Sequence, residues 1–196
     1  AFAAAALATV ACVAAPAQAQ VDPNYNFRTD MPSKVLAGKP FADRVLHRVP
    51  GSLHDAPRTP QAAKDAQQRG KSLYGPSTPI YVGAGPTEVM CTVTVAGYGE
   101  QGNKYALTAG HCGKEGDPVT SADSWQLGPS GTIVKVNREL DYALIELGSN
   151  AEVTRSYDGV TINHLGSKPL PRGQNVCKKG VASGTTCGAT LSDWGT

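Results

Sequence analysis

The stretch of sequence that decides the fold is residues 104–113, which read KYALTAGHCG. It runs from an alternating apolar segment into small residues, which then enclose a histidine and a cysteine. Small residues let a backbone turn tightly around an imidazole, so the pattern predicts a strand that ends in a turn presenting His111. Short strands that end in turns are typical of all-β proteins.

Short segments of the same kind follow one another from about residue 80 onward. They are rich in apolar and β-branched side chains, and glycine-rich turns separate them. Short strands divided by turn signals predict an all-β barrel or sandwich, and no helical pattern longer than two turns interrupts them. The predicted strands are 88–95, 104–108, 131–136, 142–147, 159–162 and 175–177.

The composition excludes several classes of function. The 196 residues carry a formal net charge of +2, and this charge is unevenly placed. Residues 21–79 hold a balance of +4 and residues 80–196 a balance of −2, so the β-rich part has no basic stripe for nucleic acid or an anionic membrane. Aromatic residues make up 6% of the chain, too few for the stacking platforms that bind single strands. We therefore expect no nucleic-acid partner.

The first nineteen residues contain eleven alanines and no charge, and they read AFAAAALATVACVAAPAQA. An uncharged apolar run that ends in Ala-Gln-Ala predicts a secretory signal peptide, cleaved after Ala19. A transmembrane anchor is the alternative, but Pro16 interrupts the run and no flanking charges would stop transfer. Cys12 would leave with the signal. Since neither Met nor a basic segment precedes the run, we expect the sequence to begin inside the signal peptide, and we expect no membrane span in the mature chain.

Residues 20–79 are rich in proline, which blocks long helices and central strands. One short helix is predicted at Gln61 to Gln68, although its apolar residues are all alanine and bury little surface. Composition alone allows two interpretations, a linker between signal and domain or a pro-segment of a secreted enzyme. The chain thus divides into a signal peptide at 1–19, this segment at 20–79 and a β domain at 80–196.

A second informative segment, residues 139–145, places a carboxylate at the head of an apolar strand. Aspartate is unfavourable in strands, and at the start of a buried strand it needs a polar partner. An imidazole N–H is a suitable partner, because the carboxylate fixes the tautomer of the histidine and stabilises its protonated form. The sequence therefore allows His111 and Asp141 to form a pair, although a histidine beside a cysteine is usually structural and an aspartate at a strand start is usually a turn residue.

Four cysteines remain after removal of the signal, and an oxidising compartment lets them form disulfides. They are Cys91, Cys112, Cys177 and Cys187. Four cysteines allow three pairings, and the residues alone do not choose among them. A metal site built from His111 and cysteines is disfavoured, because neither paired CxxC nor HxxxH spacing occurs.

Three motifs in this order resemble the chymotrypsin-like (trypsin-like) serine peptidases, in particular the secreted bacterial branch that includes streptogrisins and alpha-lytic protease. Residues 108–112, TAGHC, resemble the catalytic-histidine motif of that family, and residues 141–145, DYALI, resemble its aspartate motif. Residues 176–188 are similar to its second-barrel disulfide loop. The resemblance covers about residues 80–188.

The resemblance implies a double antiparallel β-barrel with the active site between the barrels. It implies hydrolysis of peptide bonds in a protein or peptide substrate outside the cell, without a metal ion or an organic cofactor. His111 would be the general base and later the general acid, and Asp141 would orient it. We expect the secreted protein to be a monomer. The implied disulfides are Cys91–Cys112 and Cys177–Cys187.

The Gly-Asp-Ser-Gly-Gly nucleophile motif of that family does not occur in the sequence. Ser183 and Ser192 lack the flanking glycines that allow a sharp, exposed nucleophile turn, so neither is a candidate. We expect the sequence to be a fragment that stops before the nucleophile and leaves the second barrel incomplete, because unpaired edge strands count against a natural end at Thr196. As written, the chain is expected to be inactive, since acyl-enzyme chemistry needs the nucleophile.

Two other functions remain open from the residues. A catalytically dead relative would be a secreted β-barrel that acts as a binding module for a protein or a wall polymer. A glycan-binding module would need stacking faces, for which Trp125, Tyr98 and Tyr105 are the candidates, although scattered aromatics usually serve packing.

Overall fold

The computed structural model describes residues 27–46, 58–166, 170–181 and 183–191. The predicted signal peptide with Cys12 lies outside these residues, and so does Ser192. Within them, neither α-helix has the length and apolar character that crossing a membrane requires.

Most of the regular secondary structure in the described residues is β-strand, so the predicted all-β class is confirmed. The described ranges contain two α-helices, α1 (Met31–Leu36) and α2 (Gln61–Gln68). Short 3₁₀ turns occur at Gly85–Thr87, Gly110–Cys112 and Ala122–Leu127. The strands are β1 (Phe27–Arg28), β2 (Val45–Leu46), β3 (Ser72–Tyr74), β4 (Pro79–Val82), β5 (Val89–Thr92), β6 (Val95–Tyr98), β7 (Lys104–Ala109), β8 (Pro118–Ser121), β9 (Gly131–Asn137), β10 (Tyr142–Leu147), β11 (Ala151–Val153), β12 (Ser156–Tyr157), β13 (Val160–Thr161), β14 (Asn175–Gly180) and β15 (Gly184–Ala189).

Seven strands form one antiparallel sheet in the order β5-β4-β8-β9-β10-β7-β6. The two edge strands, β5 and β6, are consecutive in the chain and are separated only by Val93 and Thr94. The sheet therefore curls toward closure, as a small barrel does. The N–H of Val93 donates to Thr78 O at 2.9 Å and that of Thr94 to Leu107 O at 2.8 Å, which fixes the bend between the two edges.

Side-chain alternation places one face of this sheet in the core. On β10, Ala143, Ile145 and Leu147 are buried, whereas Glu146 is exposed. Across the sheet, aliphatic side chains from β4, β8 and β9 meet them in a single cluster. This apolar interior is the reason that the alternating segments of the sequence form strands. The cluster comprises Tyr74, Ile80, Val82, Val93, Ala106, Cys112, Val119, Ile133, Ala143, Ile145, Leu147 and Ala151.

The predicted strands at 104–108, 131–136 and 142–147 are confirmed by β7, β9 and β10. The prediction of one continuous strand at 88–95 is wrong. The chain bends after β5, and β6 then begins at the opposite edge of the sheet. The segment at 159–162 forms only the two-residue β13, and 175–177 is the beginning of the longer β14.

The described parts of the proline-rich segment pack on the sheet. The helix predicted at Gln61–Gln68 is confirmed as α2, and it buries Ala63 and Ala66 against Leu73 and Tyr157. After α2, β3 pairs in parallel with β11. The packed body therefore begins before residue 80, the position at which composition placed the start of the β domain.

Residues 27–46 add a second packed layer beside β4 and β5. The Lys39 ammonium lies 2.5 Å from Glu88 Oε1 and 4.9 Å from the centre of the Tyr81 ring. The Asp43 carboxylate accepts the Met90 N–H at 2.8 Å. This layer also reaches the hairpin of β14 and β15 through a small apolar cluster. The cluster comprises Ala37, Ala42, Val45, Leu46, Tyr81, Met90 and Val181.

The second barrel is represented in the described ranges by the β14–β15 hairpin and the short β12–β13 pair. Cys177 and Cys187 lie directly opposite each other in the hairpin and form a disulfide with a Cα–Cα distance of 4.0 Å. Val181 at the hairpin tip is buried, and its N–H donates to Thr92 Oγ1 at 2.9 Å. The tip of the hairpin is thereby held against β5.

Truncation of the fully buried Ile145 to alanine should lower the free energy of unfolding by about 2–5 kcal/mol, because the rigid interior leaves a cavity. Val134→Ala is the matched control, since Val134 is 40% exposed on the neighbouring strand and should change stability by less than about 0.5 kcal/mol. Urea denaturation measures both values. Equal losses for the two variants would contradict the core described above.

Candidate active site

His111 lies in the 3₁₀ turn Gly110–Cys112 that directly follows β7. Cys112 is buried, and its disulfide to Cys91 on β5 has a Cα–Cα distance of 6.2 Å. Thr108 Oγ1, just before the turn, donates to Thr92 O at 2.8 Å. The turn is therefore attached to β5 by one covalent bond and one hydrogen bond. Both disulfides implied by the resemblance are present in the structure.

Asp141 is the last residue of the connection between β9 and β10. Its φ of +48° lies in the left-handed region, which aspartate and asparagine adopt more readily than most residues. The N–H of Leu140 donates to Asn137 Oδ1 at 2.8 Å and so tightens the same turn. Because Tyr142 is opposite Ala109 in the β10–β7 register, the Asp141 carboxylate comes beside the His111 turn.

The structure brings the two predicted site residues, His111 and Asp141, into direct contact. The backbone N–H of His111 donates to Asp141 Oδ1 at 2.8 Å. The ring atom Nδ1 lies 2.8 Å from Asp141 Oδ2 and 3.1 Å from Oδ1. An ionised carboxylate only accepts hydrogen bonds, so Nδ1 carries the proton. The neutral ring then presents a lone pair at Nε2, which is the arrangement of a general base.

The pair is open to solvent. The side chain of His111 is 73% exposed and that of Asp141 is 53% exposed. The hydrogen bond from the His111 ring, followed by the bond from its backbone N–H, holds the pKa of the Asp141 carboxyl below its usual value. Asp141 is therefore ionised at neutral pH and available to stabilise an imidazolium.

Gly110 permits the close approach of the His111 turn to the β9–β10 connection. A Cβ at this position would lie 2.8 Å from Asn137 O and 3.0 Å from Tyr142 N. These are backbone atoms that cannot rotate away, so only glycine fits here. The sequence analysis interpreted the small residues before His111 as a tight turn. The close backbone packing behind the imidazole explains why a small residue is needed there.

Arg138 is a residue of this site that the sequence reasoning missed. Its Nη1 donates to Gly110 O and its Nη2 to Gly113 O, each at 2.8 Å. The two carbonyls stand on either side of His111 in the chain. An arginine in a polar turn gives no sequence signal for such a contact, because charged turn residues are usually solvated.

A cleft of about 510 Å³ borders His111 and separates the curled sheet from the β14–β15 hairpin. Its volume is in the range of ligand-binding clefts. Ser77 and Ser183 also line it. Within the described ranges neither serine hydroxyl bonds to His111, and Ser77 Oγ instead donates to Tyr157 O at 3.3 Å. Further lining residues are Met90, Cys91, Thr92, Val93, Thr94, Val160, Ile162, Lys178, Lys179 and Val181.

The three aromatic residues considered for glycan stacking do not form one site. Tyr98 and Tyr105 line a shallow groove beside β6, and Tyr98 is 71% exposed. Trp125 lines a different cavity, between α1, α2 and Tyr81. In the part of the chain that the structure describes, no group of three or more His, Cys, Asp or Glu side chains is placed to hold a metal ion.

No family model matches the chain. Two curated relatives, the uncharacterized proteins MT1863 and Rv1815 of two Mycobacterium tuberculosis strains, are each 37% identical over 116 residues. The match covers 53% of this chain and 50% of each relative, so the chain spans about half the length of the curated relatives it matches.

Two solved structures are also similar to this chain. Protease A of Thermobifida fusca is 26% identical, with a TM-score of 0.49, and the match covers 62% of this chain and 61% of that one. The Nocardiopsis protease is 25% identical, with a TM-score of 0.48, and the match covers 62% of both chains. Both of these proteins are proteases, the class whose motifs residues 108–112 and 141–145 resemble.

Gly110→Ala should destabilise the protein by about 1–3 kcal/mol, because the added Cβ collides with backbone atoms of the β9–β10 connection. Gly97→Ala on β6 is the matched control, since a Cβ there meets open space. Urea denaturation compares the two variants. A Gly110→Ala protein as stable as Gly97→Ala would contradict the close approach.

The lowered pKa of Asp141 makes part of the stability dependent on pH. Its contribution should be complete above the unfolded-state pKa of aspartate, about 3.9, and should vanish as the pH falls through the lower folded-state pKa. Asp141→Asn keeps the size and the tolerance for positive φ but cannot ionise. The urea midpoint of the wild type should therefore exceed that of Asp141→Asn at pH 6, and the difference should shrink as the pH falls below about 4. A difference that stays constant over this range would refute the ionised pair.

Proposed function

We propose that this chain carries the His-Asp part of the catalytic triad of a secreted serine endopeptidase. The observation that carries the proposal is the double donation from His111 to Asp141 at the edge of a cleft. It fixes the tautomer of an exposed imidazole, and within the described residues no hydrogen bond occupies Nε2.

In the proposed reaction, His111 Nε2 takes the proton of the nucleophilic serine as its hydroxyl oxygen attacks the scissile carbonyl carbon. The Asp141 carboxylate stabilises the imidazolium that forms. His111 then gives the proton to the leaving amine, and a water molecule repeats the sequence on the acyl-enzyme. No described serine is assigned as the nucleophile, because Ser77 is engaged with Tyr157 and neither cleft serine bonds to His111.

A peptide is the substrate class that the cleft fits best. The strand β5 is an edge of the curled sheet, paired only with β4 among the described strands, and its residues line the cleft beside His111. An edge strand offers backbone N–H and C=O groups that an extended peptide can pair with. In β5 these are the outward groups other than the Met90 N–H and Thr92 O, which Asp43 and Thr108 already bind. The walls are mainly apolar, which suits peptide side chains more than sugars or phosphates.

Secretion is part of the same proposal. The described residues form two disulfides, and disulfides persist in oxidising compartments outside the cytoplasm. The uncharged alanine-rich run at 1–19 supplies the export signal.

The test uses the protein expressed from its complete coding sequence and assayed on a library of unstructured peptides. His111→Ala should abolish hydrolysis, and Asp141→Asn should lower kcat by about 10⁴-fold, because the imidazole loses its tautomer and its counter-charge. His164→Ala is the matched control, since His164 is an exposed histidine that does not line the cleft, and it should keep full activity.

Two results would refute the proposal. One is hydrolysis that survives His111→Ala at the wild-type rate. The other is a correctly folded complete protein, with the His111–Asp141 bond intact, that cleaves no peptide and reacts with no serine-directed inhibitor.

A further inference from the structure

The connection between β9 and β10 is only four residues long, and both of its ends contact the His111 turn. Asp141, at one end, accepts two N–H groups of His111. Arg138, at the other end, donates to Gly110 O and Gly113 O. The same short connection therefore binds the N–H groups of the turn with a carboxylate and two of its carbonyl groups with a guanidinium.

The two carbonyls lie at opposite ends of the turn. Gly110 is its first residue and Gly113 directly follows its last, so a side chain that binds both carbonyls spans the whole turn. A guanidinium presents several N–H donors in a rigid plane and can reach two oxygens at once. A lysine ammonium is a single point of charge and cannot hold both carbonyls in the same fixed geometry.

Packing does not hold the imidazole in place. The His111 side chain is 73% exposed, so its direction depends on hydrogen bonds rather than on neighbouring side chains. The peptide planes on either side of His111 determine where its Cα–Cβ bond points. Arg138 binds the carbonyl of Gly110, which belongs to the peptide plane directly before His111. It also binds the carbonyl of Gly113, which follows Cys112.

We propose that Arg138 is a positioning residue for His111, which it keeps in register with Asp141 by holding the carbonyls on both sides of the turn. The effect on catalysis rests on the proposed peptidase function, whereas the effect on the geometry of His111 does not. Arg138 touches neither the imidazole nor the carboxylate in the hydrogen bonds described, so it acts through the backbone.

The hydrogen bonds of Arg138 to the turn are not part of the hydrogen-bonded pairing that holds the sheet together. β10 pairs with β7 over six residue pairs and with β9 on its other side. Neither these ladders nor the buried core includes Arg138, which lies in the connection between the two strands. Loss of Arg138 should therefore loosen the His111 turn and leave the interior of the sheet unchanged.

The test compares Arg138→Met, which keeps the length of the side chain without its donors, with Arg138→Lys and with the control Arg155→Met at another arginine that is exposed. Nuclear magnetic resonance of the full 196-residue chain reads two signals of His111. Long-range ¹H–¹⁵N spectra report the ring tautomer, and hydrogen exchange reports the backbone N–H that binds Asp141.

In Arg138→Met we expect the backbone N–H of His111 to exchange about tenfold faster, as the loss of a charged hydrogen bond implies. The ring should shift from the Nδ1–H tautomer toward a mixture of both, while the N–H of Ile145 in the core keeps its protection. Arg138→Lys should fall between Arg138→Met and the wild type, and Arg155→Met should match the wild type.

Wild-type exchange and tautomer in Arg138→Met would overturn the proposal. Equal loss of protection at Ile145 would overturn it too, because it would make Arg138 a general stabilising residue. In the complete protein, Arg138→Met should lower kcat with KM unchanged within about twofold. If the complete protein shows no peptidase activity, the proposed function fails, and the exchange and tautomer signals still decide the role of Arg138.

Discussion

The site depends on one carboxylate, that of Asp141, accepting both the backbone N–H and the ring N–H of His111. Because the imidazole is mostly exposed, these two hydrogen bonds fix its orientation, whereas packing would fix that of a buried histidine. They require the His111 turn to approach the β9–β10 connection closely, and Gly110 is the residue that allows this approach. The pairing of Tyr142 with Ala109 sets the register, and the Cys91–Cys112 disulfide attaches the turn to β5.

The cleft beside this pair depends on contacts from parts of the chain that are distant in sequence. Met90 and Val181 line the cleft and also belong to the apolar cluster formed with residues 27–46. The N–H of Val181 binds Thr92 Oγ1, so the hairpin tip and the edge strand β5 keep a fixed separation. The layer formed by residues 27–46 therefore packs behind one wall of the cleft. Composition alone describes this segment as proline-rich and does not indicate that structural role.

The sequence was sufficient where a local pattern determines the structure. Alternation predicted β7, β9 and β10, and the motif resemblance predicted the His111–Asp141 contact and both disulfides. The sequence did not predict β8 and β15, which read PVTS and GTTCGA and have no clear apolar alternation. These segments form strands because neighbouring strands pair with them. Sequence reasoning also missed Arg138 and the packing of residues 27–46, since both depend on contacts between distant segments that no local periodicity encodes.

The most direct test of the account is covalent labelling of the protein from its complete coding sequence with a fluorophosphonate, a reagent that reacts with activated serine hydroxyls. Mass spectrometry of the digest then locates the modified residue. The account predicts a single labelled serine, and it predicts that the label disappears in His111→Ala, because the hydroxyl loses its general base. A folded protein in which no serine is labelled, or in which labelling is equally fast without His111, would contradict the assignment of His111 and Asp141 to a serine peptidase.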